Sequence, residues 1–136
     1  MGRIMASVDI SSVLDPEKKI RCDTLVDTGA SMLVLPSAWR DRFGDLPVIR
    51  ELELETATQG TVQATVCAPV RLQIEQFPPV VTEVAFIEMT PQNGEYEPLL
   101  GYIPLEQSQA AVDMLGHRLV YVKRLDLKAS RTTPSS

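Results

Sequence analysis

One acid in this sequence stands where it could do chemistry. Asp27 closes the apolar pair Leu25-Val26 and opens directly into Thr28-Gly29, after which apolar residues resume at Ala30, Met32 and Leu33. A carboxylate among apolar neighbours is costly to bury unless backbone N–H groups or a shared proton compensate it. An ordinary turn Asp sits instead among polar residues, accepting backbone hydrogen bonds while Gly supplies backbone freedom. The apolar flanks therefore point to acid–base catalysis by Asp27. A second signal, Leu99-Leu100-Gly101, follows later, its glycine 74 positions after the acid.

The other reactive side chains read as structure. Glu51, Glu53 and Glu55 alternate with Leu52 and Leu54, which predicts a strand with a solvated acidic face. His117, the only histidine, follows Gly116 at an expected helix end, and no Ser/His/Asp set assembles around it. Trp39 reads as a core anchor, and Glu95-Tyr96-Glu97 as part of a solvated loop that could approach a cleft. Cys22 and Cys67 lie far apart with no second pair nearby, so they read as two buried thiols, neither a metal site nor a disulfide framework.

The segment Leu25-Val26-Asp27-Thr28-Gly29-Ala30-Ser31, followed by Leu99-Leu100-Gly101, resembles the retropepsin-like, single-domain aspartic proteases. Leu100-Gly101-Tyr102-Ile103-Pro104-Leu105-Glu106 is similar to the second motif of the cellular, prokaryote-type members. The resemblance spans nearly the whole chain, about residues 3–127. It implies an all-β, closed-barrel acid-protease fold with one short C-terminal helix after Leu-Leu-Gly, and an aspartic endopeptidase that needs no metal or cofactor. Asp27 is then the catalytic acid, and Thr28 bonds across a dimer to lock two active-site loops. Gly29 and Ala30 complete the loop, with Gly29 bringing its backbone close to substrate. Leu99, Leu100 and Gly101 support it from below, and Thr58, Gln59, Gly60 and Thr61 form the flap. Viral members place Arg after the second-motif Gly, paired with an acid two residues after Asp-Thr-Gly. Here those positions hold Tyr102 and Ser31, so that ionic brace of the dimer is missing.

Water activated by carboxylates alone needs two of them close together, sharing one proton. This chain has one Asp-Thr-Gly, so the second acid must come from another copy across a two-fold axis. The expected partners are a peptide or protein substrate and a second copy, joined through the active-site loops and terminal strands, among them residues 118–125. Two other readings fit the same residues: a catalytically silent dimeric peptide-binding or scaffold domain of this fold, and a β-rich structural subunit whose Asp-Thr-Gly is only a turn.

Elements that could position these residues follow from periodicity. Alternation at Ile4-Ala6-Val8-Ile10, at Ile20-Cys22-Thr24-Val26 and from Val62 to Ile74 marks half-buried strands. Further strands are expected at 31–35, 49–56, 80–88 and 118–125. Gln59-Gly60 between alternating flanks predicts a hairpin tip. Pro36 followed by 37–43 and Gly44 predicts a short helix. Residues 104–115, with Leu105, Ala111, Met114 and Leu115 near one face and Gly116 as terminator, predict a helix of about three turns. Residues 1–127 form the expected domain, and the polar stretch 128–136 reads as a disordered tail.

Composition narrows the classes. The chain has 136 residues, 44% of them hydrophobic, enough for one domain with a real core. Thirteen Lys and Arg against 18 Asp and Glu give a net charge of −5. That balance argues against nucleic acid and anionic membrane as partners, both of which need a basic surface. No apolar run approaches the ~20 residues of a membrane helix. The N-terminus alternates and lacks a signal peptide's apolar block, so no export and a cytoplasmic location are expected.

Overall fold

A computed structural model describes residues 3–56 and 60–123. The strands are β1 (Met5–Ser12), β2 (Lys19–Val26), β3 (Leu33–Pro36), β4 (Val48–Thr56), β5 (Gly60–Ile74), β6 (Val80–Ile87), β7 (Leu99–Leu100), β8 (Ala110–Asp113) and β9 (Arg118–Tyr121). A 3-10 helix, Ser37–Phe43, follows β3, and one α-helix, α1 (Tyr102–Gln107), follows β7. Seven strands pair in the order β1-β2-β7-β3-β6-β5-β4, and β1 also pairs with β5, so the sheet returns on itself as a ring. The long β5 makes this possible. Its first half lies between β4 and β6, and its second half between β6 and β1. The register slips between Cys67 and Val70, where Pro69 offers no N–H to the ladder.

Alternation explains the interior. Val8, Ile10, Leu33, Leu35, Leu72, Val84, Phe86 and Leu100 are buried together in the main core. A second cluster of Met32, Val34, Ala64, Val66, Ala85 and Ile87 lies on the other face, covered by Leu52, Leu54 and Val62 of the β4–β5 hairpin. β3 is therefore buried on both faces, which is why Leu33-Val34-Leu35 is an unbroken apolar run.

The region after the second motif departs from expectation. Helix 104–115 does not form: α1 ends at Gln107, and Gln109 adopts a positive φ of 60° that no helix continues through. Residues 110–113 instead pair with 118–121 as a β8–β9 hairpin. Gly116 sits in its turn, donating its N–H to Asp113 Oδ1 at 3.0 Å, and caps no helix. Of the expected strand 118–125, Arg118–Tyr121 forms β9, Val122 and Lys123 lie beyond it, and residues 124 and 125 lie outside the described residues. The short helix after Pro36 forms as a 3-10 turn, with Gly44 at φ 70° ending it as expected. The tail 128–136 lies outside the described residues.

Candidate active site

β7 is only two residues long, yet it organises the site. It runs parallel to β2, with Leu25 opposite Leu99 and Val26 opposite Leu100, and antiparallel to β3, with Leu33 opposite Leu100. Wedged between the two strands that flank the acid's loop, it ties both ends of that loop. Leu25 N–H donates to the Pro98 carbonyl at 2.9 Å, Val26 N–H to that of Ile4 at 2.8 Å, and Asp27 N–H to that of Leu100 at 3.0 Å. Beyond the loop, Gly101 N–H donates to the Met32 carbonyl at 2.9 Å, Tyr102 N–H to that of Ala30 at 2.9 Å, and Ile103 N–H to that of Ser31 at 3.0 Å. The backbone from 27 to 32 is thus held by main-chain bonds from the second motif, with Pro98 and Ile4 holding Leu25 and Val26 before it.

Within the loop, Asp27 closes the turn on itself. Ala30 N–H donates to the Asp27 carbonyl at 3.0 Å, and Gly29 N–H donates to Asp27 Oδ1 at 2.9 Å. This charge-assisted bond fixes one carboxylate oxygen. A Cβ on Gly29 would stand 3.2 Å from that oxygen, so a glycine keeps the approach open. Asp27 is half-buried, while Thr28 and Gly29 are exposed. The apolar flanks led to the expectation of an enclosed acid. Leu25 and Val26 are themselves only half-buried, because the loop leaves the sheet at a rim of the ring and reaches the surface of the single chain.

A cleft of about 320 Å³ opens beside the loop, bounded by Gly29, Ala30, Met32, Leu54, Leu99 and Tyr102, with Glu53 and Glu55 along its side. Thr61 pairs with Glu55 and Gly60 with Thr56 at the outer end of the β4–β5 hairpin, and Gly60 has φ 70°. The structure brings this hairpin to the same cleft as the Asp27 loop; Thr58 and Gln59 lie outside the described residues. Leu54 and Tyr102 were missed as cleft residues. Tyr102 could have been found from its place directly after Gly101, but Leu54 had no local signal. Glu53 and Glu55 are exposed, as the alternation predicted, and also border the cleft.

The remaining candidates serve the framework. Burial pushes the Cys22 thiol up to about 12, with the Asp23 carboxylate adding to it, and burial also raises Cys67. Neither is poised as a nucleophile. The Gly116 N–H, then Arg118, hold the Asp113 carboxyl below the usual carboxylate range, as befits a turn acid. His117 is exposed in the same turn. Trp39 packs half-buried against the core, edge-on to Tyr96 at 6.0 Å and beneath the Arg42 guanidinium at 5.3 Å. Among the described residues no three His, Cys, Asp or Glu side chains gather as a metal site, and no helix is long and apolar enough to cross a membrane.

No protein-family model matches this chain, and no curated protein matches it. Among solved structures it is similar to EIAV protease complexed with the inhibitor HBY-793, at 19% identity and a TM-score of 0.57, over 83% of this chain and 94% of that one. The chain therefore has a retropepsin-like fold.

Proposed function

We propose that this protein is an aspartic endopeptidase of the retropepsin-like type, active as a homodimer with Asp27 of each subunit forming one catalytic pair. The observation that carries this reading is the Asp27-Thr28-Gly29 turn pinned through Leu100 and Gly101 at the edge of a cleft. The half exposure of Asp27 and the full exposure of Thr28 and Gly29 support it further, since a loop that completes its site with a second copy must present that face outward.

In the pair, two carboxylates face each other and hold one proton. The ionised one takes a proton from water, and the protonated one polarises the peptide carbonyl that the water attacks. The Gly29 N–H bond keeps one Asp27 oxygen oriented in each subunit, leaving the other free to meet its mate or the water. Thr28 is the residue that bonds across the two-fold axis. The Gly60 hairpin covers substrate in the cleft, where Leu54, Met32 and Leu99 offer apolar walls. Ser31 and Tyr102 carry no ionic brace; the backbone bonds of Tyr102 to Ala30 and of Ile103 to Ser31 hold this corner of each subunit instead. Because the pair must keep one shared proton, activity is expected to be greatest on the acidic side of neutral.

Cleavage of an unstructured protein, followed across pH for the wild type and Asp27→Asn, tests the reading. Asn keeps the acceptor oxygen for Gly29 but cannot take a proton, so cleavage falls by ~10²–10⁴-fold with the fold intact. Retention of more than about a hundredth of the activity would contradict it. Binding of a pepstatin-like inhibitor without any cleavage by the wild type would instead indicate a peptide-binding module.

A further inference from the structure

The outer face of β2, β1 and β5 carries a charge pattern that the Asp27 site does not use. Ser11 of β1 is in register with Lys19 of β2 on one side and with Arg71 of β5 on the other. One step along the strand, Asp9 is in register with Arg21 and with Gln73. Cross-strand partners project from the same side of a sheet. The intervening Ile10 and Leu72 are buried in the ring, so both polar rows face outward.

The two rows differ. In one, the Asp9 carboxylate is taken by Arg21 at 3.1 Å. In the other there is no carboxylate: Lys19 and Arg71 are exposed and flank the Ser11 hydroxyl, and among the described residues neither side chain has an ion-pair partner. A shallow groove of about 430 Å³ runs over these residues. Lys19 and Arg71 stand roughly 10 Å apart, two strand spacings, which leaves room for one anionic group between them above Ser11. Three cations against one acid also make the lining of this groove locally positive in a chain of net charge −5.

We infer that this groove docks an acidic polypeptide segment, with one carboxylate seated over Ser11 between Lys19 and Arg71. An extended segment repeats its same-side side chains about every 6.6 Å, the same step that separates the Ser11 row from the Asp9 row. The matching ligand thus has an acid over Ser11 and an uncharged residue two positions on, over Asp9 and Gln73. A nucleic acid fits poorly, because its continuous phosphates need a longer cationic track than two unpaired side chains. Lys19 begins β2 and Asp27 follows its end, roughly 25 Å away along the strand. Docking here is accordingly independent of the catalytic reading.

Fluorescence anisotropy of the full chain with a labelled Glu-Gly-Ser repeat peptide tests this, with a Lys-Gly-Ser peptide as counterpart. The acidic peptide should bind, and binding should weaken with added salt, since exposed charges are screened within ~10 Å. The double variant Lys19→Gln/Arg71→Gln should lose about tenfold or more in affinity. Arg50→Gln, which removes a cation paired with Glu83 outside the groove, should not change it. No binding of the acidic peptide, equal weakening by Arg50→Gln, or binding of the Lys peptide as tightly would overturn the inference. So would inorganic phosphate binding more tightly than the peptide, which would make the groove a site for free anions.

Discussion

Gly101 lies against the backbone of Met32 with no room for a side chain between them. Its N–H donates to the Met32 carbonyl at 2.9 Å, and a Cβ built on it would stand 2.5 Å from Met32 N and 2.6 Å from Met32 O. Its φ of −85° is open to any residue, so the requirement is for space alone. This contact is how the second motif reaches the loop of the first.

Gly101→Ala should therefore damage the protein at that joint. The added methyl must push the Ser31–Met32 backbone aside, with an overpacking cost of about 1–3 kcal/mol. A lower urea midpoint, together with a loss of cleavage larger than the stability change explains, is the expected outcome. An unchanged midpoint would mean that the two motifs are not in tight contact.

Gly60 should separate turnover from stability. Its φ of 70° disfavours a β-branched residue, while the space around an added Cβ is open. Gly60→Val then strains the hairpin end by about 1–2 kcal/mol. Few core contacts depend on that end, so the melting temperature should move by only a few degrees while kcat falls, as for a lid that must close. Steady-state kinetics beside thermal melts would show this. Unaltered kinetics would remove the hairpin from the account of the cleft.

The Cys22 thiol gives a pH dependence of known sign. Its folded value, pushed up to about 12 by burial, exceeds the ~8.5 of an unfolded thiol. The neutral thiol thus favours the fold below about pH 8.5, and that advantage is lost as pH rises from there towards about 12. Urea unfolding should show wild-type stability declining over this range more steeply than that of Cys22→Ala. Parallel declines would place the thiol in contact with water.

What could be read from the sequence was what is local. Asp27-Thr28-Gly29 announced its turn, alternation gave β1, β2 and β5, and Gly60 marked its hairpin, since each depends on neighbours in the chain. The misread helix at 104–115 had apolar residues at helical spacing. Residues 110–113, Ala-Ala-Val-Asp, carry no alternation of their own and form a strand only through pairing with residues 118–121, and Gln109 supplied the reversal without being a glycine. The exposure of Asp27 and the cleft position of Leu54 depend on where the ring opens and on which strand β4 borders, and neither is a local property. A two-residue β7 between β2 and β3 is likewise too short to carry any periodic signal.

The central claim, one catalytic centre built from two copies of Asp27, is tested most directly by mixing subunits. Wild-type and Asp27→Asn chains are unfolded together at a one-to-one ratio and refolded at fixed total concentration. Random pairing makes one quarter of the dimers wild type, and mixed dimers hold a single carboxylate. Cleavage should drop to about a quarter of that of the unmixed enzyme, and specific activity should fall on dilution as the pair of acids separates. Activity near one half, unaffected by dilution, would mean that each chain works alone and that Asp27 has no mate.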